Sequence, residues 1–200
     1  MKKQLLFITA VCVSFLQAKA QTPFPTMEYV DINKVKAAVL VHGDMWWDPV
    51  TQTSRCFFPA TSARNIGFAG ALWMSGYDAS SQLHIASQMY RQNGNDYWPG
   101  PIDTTTGVLD LATSTDWAKI WKVKRDTIKK FLFDTAARTV SSTPKSILEW
   151  PGKGNTYARG AGGVSLNVIR SMAPFVDLNA NGIYEPLLGE YPDVNGDLAL

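Results

Sequence analysis

Oxygen-bearing side chains recur at alternate positions in the run Asp177-Leu-Asn179-Ala-Asn181-Gly-Ile183-Tyr-Glu185. Asp, Asn and Asn two residues apart, followed at once by Gly, form the front half of a calcium loop of the EF-hand type. In a tight turn alternate residues point their oxygens inward, and Gly permits the sharp bend. Ile183 would then offer its backbone carbonyl, and Glu185 a carboxylate that coordinates directly or through water. The position where such loops carry a bidentate Glu holds Leu188. Glu190, Asp193, Asn195 and Asp197 follow closely enough to complete the shell, and residues 193–197 are an oxygen-rich turn in their own right. The expected ligand set for Ca2+ is therefore Asp177, Asn179, Asn181, Ile183, Glu185, Asp193, Asn195 and Asp197. The competing reading is a pair of metal-free Asx turns, because Asp, Asn and Gly all favour turns.

Other chemistries have weaker support. His42 and His84 are the only imidazoles, and a zinc site would need both plus a carboxylate such as Asp44. His84 sits in the middle of an expected strand and reads as a hydrogen-bonded structural residue. Gly-x-Ser-x-Gly, Walker and dinucleotide fingerprints are absent. Paired carboxylates for glycoside hydrolysis are defined by their separation in space and have no fixed sequence spacing. Beyond the first 20 residues, however, Glu occurs only at 28, 149, 185 and 190. Trp46, Trp47, Tyr97 and Trp98 lie in loop-like contexts and are the candidates for stacking on a sugar. The alternative for these rings is core packing, since large aromatics dominate core energetics.

The start of the chain is an address. Lys2 and Lys3 precede an apolar run over residues 5–16, and Ala18-Lys-Ala20 gives small residues where a signal peptidase reads. A secretory signal cleaved after Ala20 is expected. The run is too short to span a bilayer, and no later stretch is long and apolar enough. Cleavage removes three lysines and no acid, leaving sixteen basic and seventeen acidic residues and a net charge of −1. A nucleic-acid partner is not indicated by that balance. Cys56 would remain as the one cysteine, unable to form an internal disulfide, and it reads as a small buried hydrophobe beside Phe57 and Phe58.

These residues must be positioned by an ordered chain. With 46% apolar and 18% charged residues in 200, the composition supports a folded core and excludes a disordered or collagen-like chain. Residues 21–34 read as an extended leader and residues 35–200 as a single β-rich domain. A strand is expected over residues 35–42. Alternating runs over residues 66–74 and 82–91 flank the polar turn 76–81 and predict an antiparallel hairpin. Small residues between Gly67 and Ala71 predict close approach of another layer. Residues 92–115 read as a long loop. Trp117, Ile120 and Trp121 share helical spacing behind Ser114 or Thr115 as cap. Asp126 can cap a second helix with Ile128, Phe131, Leu132 and Thr135 on one face, and Thr143-Pro144 can open a third carrying Ile147, Leu148 and Trp150. The expected fold class is mainly β: an antiparallel, sandwich-like domain with two or three short helices.

Five strings in order also carry a resemblance: Gly70-Ala-Leu-Trp-Met-Ser-Gly-Tyr-Asp78, the stretch from Gln88 to Pro101, Asp116-Trp-Ala-Lys-Ile-Trp-Lys-Val123 in outline, Ile147-Leu-Glu-Trp-Pro-Gly152, and the stretch from Ala173 to Pro186. Together they resemble the N-terminal region of large exported surface proteins of Bacteroidetes, which usually end in a type IX secretion sorting domain. The resemblance covers about residues 35–198. It implies an exported, extracellular or cell-surface protein with no established enzymatic activity, and it makes the Asp177 segment a recurrent feature. Family members continue past the segment matching residues 193–200. Here the apolar run ending at Leu200 reads as the start of a strand, so the expectation is a truncated reading frame or the front piece of a longer protein. The reading that follows is a non-enzymatic structural or adhesion module, calcium-stabilised, whose partners are surface glycans or other surface proteins. The alternatives are a carbohydrate-binding module using Trp46, Trp47, Tyr97 and Trp98, and a fragment of an exported hydrolase.

Overall fold

A computed structural model describes residues 26–88 and 96–195. The expected signal peptide, residues 21–25 of the expected leader, the distal end of the expected second hairpin strand and Asp197 lie outside the described residues. The expectation of a mainly β, antiparallel fold with short helices is met. Among the described residues no helix is long and apolar enough to cross a membrane.

The central sheet is built on β2 (Lys36–Leu40), whose Ala38 and Leu40 alternate into the interior. On one side it pairs with β1 (Met27–Val30) in the register Met27↔Leu40 to Val30↔Ala37. Within the described part of the expected leader, Met27–Val30 is a strand of the sheet and residues 33–34 form a turn before β2. On the other side β2 meets β3 (Asp44–Met45) and β6 (Cys56–Phe57), and β7 (Gly70–Ala71) extends the sheet beyond β3. Cys56 is buried, as a small hydrophobe would be.

Trp46 explains the small residues at 67–71. It follows β3 with φ 65°, a left-handed backbone rarely used by a bulky residue. Its ring lies under the chain at Gly67 and Gly70. A Cβ at those glycines would come within 3.0 and 3.2 Å of the ring. The second layer expected over this stretch is therefore an indole.

Two ribbons leave the sheet. β4 (Trp47–Asp48) and β5 (Thr53–Ser54) form one, closed by Asp48. The Asp48 carboxylate accepts the N–H groups of Val50 and Thr51, the Thr51 hydroxyl and the Arg55 guanidinium. The second is a hairpin displaced from the expected one, β8 (Trp73–Tyr77) with β9 (Leu83–Ser87), in the register Trp73↔Ser87 to Tyr77↔Leu83: Gly76 and Tyr77, expected in the turn, continue the first strand, while Gly70 and Ala71, expected in that strand, pair with β3 instead. Its turn is fastened by Asp78, which accepts from the N–H groups of Ser80 and Gln82.

The C-terminal half is a core of short helices and aromatic loops. α1 (Leu111–Asp116) begins one turn earlier than the spacing of Trp117, Ile120 and Trp121 predicts. Asp110 is the reason: its carboxylate accepts both the N–H and the hydroxyl of Thr113, a complete N-cap. Trp117 ends this helix, and Trp117 and Trp121 meet at 6.0 Å from a non-helical segment. α2 (Arg125–Phe133) buries Ile128 and Phe131 as expected, with Asp126 in its first turn, where the helix dipole favours an anion, rather than at the cap. α3 (Lys145–Leu148) follows Pro144 and buries Ile147 and Leu148. Ile128, Phe131, Ile147 and Tyr191 form one apolar cluster, and Trp150, Ala173 and Tyr184 form another.

A candidate calcium loop at residues 177–190

The loop sits on a two-stranded stem. β10 (Phe175–Val176) pairs antiparallel with β11 (Tyr191–Pro192), Phe175 opposite Pro192 and Val176 opposite Tyr191. Asp177 leaves one strand and Glu190 enters the other, so both stand at the mouth of the loop.

Glu190 closes the loop. It is fully buried, and its two carboxylate oxygens accept the N–H groups of Leu178 at 3.1 Å and Glu185 at 2.6 Å. One side chain thereby satisfies a donor from each arm. Asp177 accepts the N–H of Gly182 across the turn at 2.7 Å. Asn179 and Asn181 each accept an N–H two residues on, from Asn181 and Ile183, the Asx-turn bond. Their side-chain amides donate to the same Glu185 oxygen at 2.8 and 2.7 Å. The predicted donors Asp177, Asn179, Asn181 and Glu185 are thus brought together, with Gly182 at φ 73° making the bend.

Below the loop, Tyr184 is buried and donates its hydroxyl to the Ile147 carbonyl at 2.8 Å. Its ring meets Phe175 edge-on at 5.2 Å. Gly152 packs directly beneath: a Cβ there would lie 2.6 Å from that of Tyr184. Ile183 stays partly exposed on the outer side.

The electrostatics of the mouth are unbalanced toward negative charge. Burial pushes the Glu190 carboxyl up. The N–H groups of Glu185 and Leu178 pull it back, and the charges of Asp177 and Glu185 push it up again. Tyr184 is raised by burial and by the charge of Glu190. The Asp177 carboxyl is held below its usual range, chiefly by the Gly182 N–H. Its second oxygen, Oδ1, is buried with no hydrogen-bond partner.

The other predicted ligands fall elsewhere. The Asp193 N–H bonds to the Pro174 carbonyl, which puts Asp193 beyond the opposite end of the stem, with Asn195 after it. The strand register decides this, since every residue past Glu190 moves away from the mouth by about 3.3 Å. Asp197 lies outside the described residues. Of the four residues expected to complete the shell, Glu190 alone among the described ones stands at the mouth, where it accepts backbone N–H groups. A lone Glu within Leu187-Leu-Gly-Glu190-Tyr-Pro192 was the available signal for a buried carboxylate. Among the described residues no three His, Cys, Asp or Glu side chains gather in a metal-holding arrangement. That covers the loop in its hydrogen-bonded state. It also covers the zinc alternative: His42 is buried beside Asp44, while exposed His84 faces Asp78 at 3.0 Å.

The aromatic candidates serve mainly as packing. Trp47 is 2% exposed and tilts against Phe68 at 5.1 Å, so its ring has no open face for a sugar. Trp46 lies under Gly67 and Gly70, and Tyr97 packs on Gly43 and donates its hydroxyl to the Ala86 carbonyl. Trp98 is the most exposed of the four. No family model, curated protein or solved structure matches this chain.

Proposed function

We propose that the chain is a non-enzymatic structural module of an exported, extracellular or cell-surface protein, and that the 177–190 loop binds Ca2+ to lock its C-terminal core. The observation that carries the calcium reading is the buried, unpartnered Asp177 Oδ1 at a mouth that also holds Glu185 and Glu190. An acceptor oxygen shielded from water without a hydrogen-bond partner is unfavourable, and crowded carboxylates are relieved by a cation. Asp177, Asn179, Asn181, Glu185 and the Ile183 carbonyl would hold the ion. Its chemistry there is charge neutralisation among oxygen donors, with no role in a reaction. Because the loop is already closed by its own hydrogen bonds, the ion tightens a formed structure rather than creating it. Weak sites of this type saturate at millimolar calcium, as extracellular modules do. The address at residues 1–20 and the resemblance to exported surface proteins support the location.

Thermal melting tests the reading. Calcium at about ten times Kd is worth about 1.4 kcal/mol by mass action, so Tm should rise against a chelator control. In Asp177→Asn, which keeps an oxygen for the Gly182 N–H, the rise should vanish while the fold survives. An unchanged melt across millimolar calcium, or a rise that persists in the variant, would overturn it.

A further inference from the structure

The hairpin of β8 and β9 has an apolar face with no cover among the described residues. Trp73, Ser75 and Tyr77 share that face with Leu83, Ile85 and Ser87, because these are the directly opposed pairs of the register. Trp73 is 67% exposed, Tyr77 75%, Leu83 53% and Ile85 64%. A lone two-stranded ribbon is marginal in water, and such a face asks for a partner layer.

We infer that this face is a homodimer interface, covered by the same ribbon of a second copy of the chain. Three observations favour a second copy. The first is charge. The strands WMSGY and LHIAS contain no Lys, Arg, Asp or Glu. Their one imidazole, His84, lies opposite Gly76 on the other face, and it pairs there with Asp78. A two-fold contact sets each patch against itself, so an uncharged patch meets no self-repulsion. The second is area. With an aromatic side chain at roughly 200 Å², the four exposed side chains present roughly 500 Å² per copy. Two copies then bury about 1,000 Å², the size at which specific interfaces begin. The third is rigidity. The Trp73 Nε1–H donates to the Gln88 carbonyl at 2.9 Å, which fixes the indole while leaving most of it in solvent. An anchor already held in place loses little entropy on association. Leu83 opposite Tyr77, and Ile85 diagonal to both aromatic rings, make the apolar side chains contiguous across the two strands. This inference stands or falls separately from the calcium reading.

Sedimentation of the purified chain from about 1 to about 100 µM tests it, in chelator so that the loop plays no part. The weight-average mass should climb toward twice that of the monomer. The double variant Tyr77→Lys, Ile85→Lys should stay monomeric at every concentration. Val50→Lys, an exposed apolar site outside the hairpin, should dimerise like the parent. If the lysine variant fails to fold by far-UV circular dichroism, Tyr77→Thr with Ile85→Thr keeps strand propensity and should also be monomeric. A parent that remains monomeric at 100 µM overturns the inference, as does a dimer that both ribbon variants leave intact. A monomeric parent whose Trp fluorescence is protected by an oligosaccharide would assign the face to a glycan and overturn it equally.

Discussion

Tyr184 donates its buried hydroxyl to the carbonyl oxygen of Ile147 at 2.8 Å, across 37 residues of chain. The bond ties the candidate loop to the C-terminal helix core, since Ile147 belongs to the cluster with Ile128, Phe131 and Tyr191. Tyr184→Phe keeps the ring and its contact with Phe175 but leaves the Ile147 carbonyl unpaired. A loss of about 1–2 kcal/mol in urea unfolding is expected. An unchanged midpoint would mean that the two parts are held by apolar packing alone.

Glu190→Gln is expected to be worse than its isosteric shape suggests. One carboxylate oxygen becomes an NH2 group and faces either the Leu178 or the Glu185 N–H, donor against donor. Loss of about 2 kcal/mol follows from stranding a buried donor. Asp193→Asn, at the far end of the stem, should leave the loop unaffected, as read from the amide shifts of residues 178 to 185 in a two-dimensional NMR spectrum.

Acid should weaken the β4–β5 ribbon within a defined window. Burial would raise the Asp48 carboxyl, but the Thr51 hydroxyl and N–H, the Arg55 guanidinium and the Val50 N–H outweigh it and bring it to about 2. The ordinary value is 3.8, so the folded state binds its proton later than the unfolded chain does. The stabilisation is complete above about pH 4 and is lost as pH falls toward 2, roughly 2 kcal/mol in total. Urea melts between pH 5 and pH 2 should show this slope in the parent and lack that increment in Asp48→Asn. Equal slopes would contradict the assignment.

Two glycines should respond in opposite directions to alanine. At Gly152 a Cβ would collide with the Tyr184 side chain, so Gly152→Ala should destabilise by roughly 1–3 kcal/mol. At Gly76, inside β8, nothing lies within 4 Å and φ is not positive. Gly76→Ala should therefore stabilise the hairpin by about 0.5–1 kcal/mol. Thermal melts of the two variants report both signs.

The sequence carried the elements whose signals are local. The second strand of the hairpin was legible because Leu83 and Ile85 recur two apart behind a turn rich in Asp and Ser, whereas the first was placed too early, because Gly76 reads as a turn residue and yet continues β8. The second helix was legible because Ile128 and Phe131 share a face. The spacing of Trp117, Ile120 and Trp121 misled because their grouping is tertiary: Trp121 donates its indole N–H to the Glu149 carbonyl, far along the chain. In the candidate site the alternating Asp and Asn were legible, since an Asx turn is local chemistry. The clamp by Glu190 was not, because its partners are backbone N–H groups chosen by the pairing of two strands of two residues each. The same short register carries Asp193 away from the mouth. The strand at Met27–Val30 was hidden because its pairing depends on β2, not on its own pattern.

Calorimetric titration of calcium into the chelator-stripped protein tests the central claim most directly. One saturable site with a millimolar dissociation constant in the parent, lost in Asp177→Asn, is the predicted result. Absence of a binding isotherm, or a site that survives Asp177→Asn unchanged, would contradict it.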